Sequence, residues 1–85
     1  MGKSMNGLSL DLIIHPGETL REILDDRGMS QKELALRTGV TEAHVSSIVN
    51  CRKAISVYYA KKLDYALGID AIFWINLQAN HDKEL

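Results

Sequence analysis

The chain has a single cysteine, Cys51, so it cannot close a disulfide on itself. That suits a reducing compartment, and the cytoplasm is the expected location. One proline and six glycines are too few for a fibrous or low-complexity chain. No apolar run approaches the roughly 20 residues that a membrane span needs, so no membrane association is expected. Met1 to Ile14 carries one Lys and a short apolar patch, which makes a poor secretory leader. There is no glycine-rich phosphate loop. His15, His44 and His81 lie far apart in sequence, and Cys51 has no neighbour at ligand spacing. Neither a metal nor any other cofactor is expected. A Cys51–His44 nucleophile pair lacks a third group to orient it. Asp25 and Asp26 are adjacent, and neighbours on a helix face different directions, which suits a solvated pair better than an acid–base dyad. No enzymatic activity is expected.

Net charge is also small, −1 over 85 residues, which taken alone speaks against a nucleic-acid binder. Its distribution speaks for one. Between Gln31 and Lys62 stand Lys32, Arg37, Arg52, Lys53, Lys61 and Lys62 against Glu33 and Glu42, a net of +4. Residues 1–30 net −2 and residues 63–85 net −3. The positive excess is a local footprint on an otherwise acidic chain.

That footprint overlies the most organised stretch, Ser30 to Asn50. Ser30 can cap a helix, with Glu33 at capping-box spacing. Thr41 can cap a second. Gly39 between them suits the left-handed backbone that ends a helix. Leu34 and Ala35, then Val45, Ile48 and Val49, supply the apolar face. Two helices joined by so tight a turn make a helix-turn-helix, whose second helix can enter the major groove. Its outward arc is Ala43 and Ser47, flanked by His44, Ser46 and Asn50, with Glu42 at the tip. Such an arc is short and polar, as a base-reading surface must be. Arg52 and Lys53, just beyond it, are placed for phosphates.

The flanks complete an all-α reading. A domain at 15–82 follows a flexible or extended arm at 1–14. His15-Pro-Gly-Glu18 opens the first helix, with Pro16 in the first turn and Glu18 at the positive end of the dipole. Its stripe is Leu20, Ile23 and Leu24, and Arg27-Gly28 closes it. Ser56 caps a fourth helix with the stripe Val57, Ala60, Leu63 and Ala66/Leu67. Gly68 ends it, and Asp70 caps a fifth helix over 70–82. There the apolar residues Ile72, Phe73, Trp74, Ile75 and Leu77 cover nearly the whole circumference. One side is expected to pack on the first and fourth helices and the other on a second subunit, with Ile72, Phe73, Trp74, Ile75 and Leu77 as the expected dimer interface. Residues 83–85 form a polar tail.

Taken in order, His15-Pro-Gly-Glu18, Ser30-Gln-Lys-Glu-Leu-Ala35, Gly39-Val-Thr41, Ile48-Val-Asn50, Ala54-Ile-Ser56 and Phe73-Trp-Ile-Asn-Leu-Gln78 resemble the HigA antitoxins. These are XRE/Cro/C1-type helix-turn-helix proteins, also labelled virulence-associated protein I. The resemblance runs from about His15 to Asp82. It implies a five-helix, lambda-repressor-like domain that forms a homodimer, binds double-stranded operator DNA and represses its own operon. It also implies neutralisation of a cognate toxin, usually a RelE-like mRNA interferase. By position it places Gln31 on a phosphate. Thr41, Glu42, Ala43, His44 and Ser47 fall near backbone and bases, and Asn50, Arg52 and Lys53 on the backbone past the third helix.

Three departures accompany it. Cys51 stands where Gly usually follows Asn50, so the turn is expected to be strained or differently shaped. Glu42 puts an anion at the helix tip, where it can accept from a cytosine N4 or weaken binding. The buried Arg–Glu pair of phage-repressor relatives falls on Leu24 and Val49, an apolar contact. The residues also admit a toxin-capping module with weak or lost DNA binding, a solitary regulator without a toxin, or a purely structural helical domain.

Overall fold

Ser30, Thr41 and Ser56 each accept a backbone N–H three residues on, from Glu33, His44 and Tyr59 at 3.0–3.1 Å, and so start three of the five helices. The computed structural model describes residues 14–84. The helices are α1 (Pro16–Arg27), α2 (Gln31–Thr38), α3 (Glu42–Val49), α4 (Val57–Leu67) and α5 (Ala71–Glu84). No strand occurs among the described residues. The expected arm lies outside them, save for Ile14. The first helix is capped by His15 itself, whose Nδ1 accepts from the Gly17 N–H at 2.8 Å. Asp70 starts α5, with Oδ1 accepting from Ile72 N–H at 2.8 Å. Only half of the expected capping box forms at Ser30. The Glu33 carboxylate goes instead to Arg37, 2.7 Å away and one turn along α2.

Helix α2 packs on α3 and α4, α1 packs on α3 and α5, and α5 lies along α4. The core is Leu20, Leu24, Leu34, Ala35, Val45, Ile48, Val49, Ile55, Tyr59, Ala60, Leu63, Leu67 and Trp74. Each of the fully buried Leu and Ile side chains contributes roughly 2 kcal/mol. Leu24 and Val49 are both buried, so the apolar contact expected in place of an ion pair has its two halves in the core. Most polar groups inside are paired, while the Trp74 indole Nε1 and the His81 Nδ1 are buried without a hydrogen-bond partner. Thr38 Oγ1 donates to Leu34 C=O at 2.8 Å and shares a 3.1 Å hydrogen bond with Tyr59 Oη, tying α2 to α4. The Gln78 Oε1 accepts from the Ile55 N–H at 2.9 Å and pins the α3–α4 loop to α5. Arg27 donates to the Leu67 C=O at 2.7 Å, placing a cation at the negative end of α4.

Three expectations change. Val57 is 55% exposed, because the first residue of α4 points away from the core while Ile55, two residues earlier, fills that place. Trp74 is 0% exposed and sits in the core of its own subunit, so it is no part of an intersubunit surface. Its position on α5 faces α1 and α4, and the indole is the largest group in the core. Helix α5 also continues through Glu84, past the expected end at 82, with His81 and Lys83 in its last turn. Cations there offset the unpaired carbonyls.

Candidate nucleic-acid interface

The turn that presents α3 is built at Gly39, whose φ of 73° lies in the left-handed region. Its N–H closes on Ala35 C=O at 2.9 Å and ends α2, and Thr41 restarts the chain as α3 two residues later. Val45, Ile48 and Val49 turn inward. Since 3.6 residues make a turn, that buries one side of α3 and leaves Ala43 and Ser47 on the other. Thr41, Glu42, Ala43, Asn50, Arg52 and Lys53 are exposed, and Gln31, His44 and Ser47 are half-buried. The arc expected from the sequence therefore lies on one accessible side, with Arg52 and Lys53 in the loop just past it.

Both flanks of that arc are held by other helices. On one side the His44 ring meets Tyr59 of α4 edge-on, 5.2 Å between centroids. Burial, and after it the Lys53 ammonium, hold the His44 imidazole below its ordinary pKa of 6.5. The His44 ring thus packs on Tyr59, which is tied in turn to Thr38. On the other side Arg21 of α1 reaches Asn50 at 3.1 Å, and Asn50 reaches Ser46 at 3.2 Å. Ser46 already flanks the arc expected from the sequence, whereas Arg21 carries no site signal there. Twenty-nine positions separate Arg21 from Asn50, and no spacing rule links them.

The α1–α3 junction beneath is close. A Cβ on Gly17 would lie 1.8 Å from the Ile48 carbonyl oxygen, so only glycine lets these backbones meet. Cys51 follows with φ 62°, the one non-glycine residue in the left-handed region among those described. The usual turn is thus kept, and it is strained rather than reshaped. Burial pushes the Cys51 thiol up, and the Glu18 carboxylate adds to that, so it is a poor nucleophile. His15 and His81, distant in sequence, come together with centroids 4.8 Å apart. Among the described residues no three His, Cys, Asp or Glu side chains are placed to hold a metal. None of the described helices is long and apolar enough to cross a membrane.

Of the local cations, Arg37 is engaged by Glu33, and the Lys62 ammonium lies 5.2 Å above the Tyr58 ring. Arg52 and Lys53 are exposed in the loop just past α3, and Arg21 adds a guanidinium 3.1 Å from Asn50.

A sequence profile described as Helix-turn-helix matches residues 20–74, from the core face of α1 to the buried indole of α5. The chain belongs to the helix-turn-helix family. Its relatives lie in the branch that the sequence resembles. Virulence-associated protein A' of Dichelobacter nodosus is 39% identical over 69 residues, which cover 80% of this chain and 60% of that protein. Virulence-associated protein I of the same organism is 36% identical over 73 residues, covering 85% and 68%. The chain thus spans about three-fifths to two-thirds of the length of these curated relatives. Among solved structures, Pseudomonas aeruginosa antitoxin HigA with the higBA promoter superposes with a TM-score of 0.80 at 36% identity, covering 84% of this chain and 78% of that one. The all-α helix-turn-helix reading and the HigA-type resemblance both stand.

Proposed function

We propose that this chain is a sequence-specific DNA-binding repressor that acts as the antitoxin of a HigA-type module. Two copies present α3 to successive major-groove half-sites about 34 Å apart. Ala43, Ser47, Thr41 and Glu42 approach bases and nearby backbone. Gln31, Asn50, Arg52 and Lys53 hold phosphates. The observation that carries this reading is the polar arc of α3, held outward by buried Val45, Ile48 and Val49 and bordered by two exposed cations. The similar Pseudomonas aeruginosa antitoxin HigA is solved with the higBA promoter, which supports the same role here. The second copy docks on the outer face of α5, where Ile72 and Phe73 are 57% and 42% exposed, with half-buried Ile75 and Leu77 on either side. The operon repressed is its own, and the toxin neutralised is a RelE-like mRNA interferase.

Gel shift on the DNA upstream of its own reading frame tests the reading, at several salt concentrations. Expected is sequence-preferring binding that weakens steeply with salt. Binding that is absent, or indifferent to sequence and salt, overturns it. A second reading, a toxin-capping module with little DNA affinity, draws on Glu42, an exposed anion at the tip of the presenting helix. Co-purification with a neighbouring toxin together with a failed gel shift would select it.

A further inference from the structure

Arg21 sends its Nη2 from α1 to Asn50 Oδ1 at 3.1 Å, and Asn50 Nδ2 donates in turn to Ser46 Oγ at 3.2 Å. The chemistry of the groups fixes the direction of this chain. A guanidinium offers only donors, so Asn50 must turn its carbonyl oxygen toward Arg21 and its amide the other way. Ser46 accepts from that amide and keeps its own O–H to give. Arg21 and Asn50 are exposed and Ser46 is half-buried, so this row runs along the accessible side of α3 that borders α1.

We propose that Arg21 is a positioning residue for DNA binding, which sets the amide of Asn50 and through it makes Ser46 an outward-facing hydrogen-bond donor. This rests on the DNA-binding reading above and deepens it. The group recognised is an acceptor, either a phosphate oxygen or an acceptor on the major-groove edge of a purine. Without Arg21 the Asn50 amide is free to flip, and Ser46 no longer has a fixed polarity. The junction supplies the rigidity that such a device needs. Gly17 brings α1 into backbone contact with Ile48, so Arg21 and Asn50 ride on elements that cannot slide apart.

The test is binding of the fragment upstream of the protein's own reading frame, and of a scrambled fragment, followed by fluorescence anisotropy across a salt series. The proteins are wild type, Arg21→Ala, Arg21→Lys, Asn50→Ala and the Arg21→Ala/Asn50→Ala double variant. Arg21→Ala is expected to weaken binding about tenfold, the scale of one lost charge-assisted hydrogen bond. Its salt slope stays that of wild type, and Arg21→Lys recovers most of the loss. The double variant binds no worse than Asn50→Ala alone, because the arginine acts through the asparagine. A loss confined to the native fragment assigns the acceptor to a base, and an equal loss on both assigns it to phosphate.

Four results overturn the inference while leaving the DNA-binding reading intact. One is wild-type affinity in Arg21→Ala. Another is losses that multiply in the double variant. The third is a salt slope shallower by about one per subunit, which would make Arg21 a phosphate contact in its own right. A melting temperature that falls in step with affinity would assign Arg21 to the scaffold and overturns it as well. A wild-type protein that binds neither fragment removes both this inference and the function it rests on.

Discussion

Cys51 adopts a backbone conformation that a side chain disfavours. Its φ of 62° places Cβ against the neighbouring carbonyl, a strain of about 1 kcal/mol. Cys51→Gly is therefore expected to stabilise the fold by up to about 1 kcal/mol, read as a higher urea midpoint at unchanged m-value. Gly17 presents the opposite case. Gly17→Ala would drive a methyl into the Ile48 carbonyl and is expected to be severely destabilising. The histidines make a third prediction at this scale. Burial, and for His15 the nearby His81 as well, lower the folded-state pKa of His15, and burial with Lys53 lowers that of His44. A base depressed in the folded state binds fewer protons there than when unfolded. Its contribution is complete above the ordinary 6.5 and is lost as pH falls through the folded-state value. Stability should decline as pH falls below the ordinary 6.5. His15→Asn, which keeps a capping oxygen but does not titrate, should flatten that decline.

At the scale of elements, α3 is presented by caps, a turn and two lateral props. Tyr59→Phe removes the hydroxyl that links α4 to Thr38. Thr38 keeps its bond to the Leu34 carbonyl, so the expected loss is about 1 kcal/mol by denaturant titration. Ser47→Glu adds an anion to the outward arc. It should abolish operator binding while melting as wild type, and retained binding would mean that α3 is not the reader. The helix boundaries were legible in the sequence because caps are local. Ser30, Thr41, Ser56, Asp70 and Gly39 each act within three or four residues of themselves, and each starts or stops a helix as read. The buried arc of α3 was legible for the same reason, since Val45, Ile48 and Val49 repeat at the helical period. What escaped depends on partners distant in sequence. His44 looks like any polar helix residue until Tyr59 stands beside it. Arg21 looks like a solvated cation until the chain folds α1 across the end of α3. Trp74 read as an exposed contact because α5 is apolar nearly all round, and periodicity cannot rank the faces of such a helix.

For the whole molecule, the proposed dimer rests on the outer face of α5. Ile72 and Phe73 remain exposed although Trp74, the next residue along α5, is fully buried. Charge substitution there should spare the fold and disrupt the dimer. Ile72→Asp with Phe73→Asp is expected to elute as a monomer by light scattering. It should also lose the concentration dependence of melting that a dimer shows. Affinity for a two-half-site operator should fall much further than affinity for a single half-site, because the second contact is no longer intramolecular.

The backbone contact at Gly17 bears on how such a protein can be switched. With α1 and α3 interlocked and His44 wedged on Tyr59, the presenting helix has no independent hinge within its subunit. In the proposed repressor, a bound protein that relieves repression would act on the spacing or tilt of the two subunits, or block the groove-facing side. Reshaping a single reading head would require breaking the keel on which it is mounted.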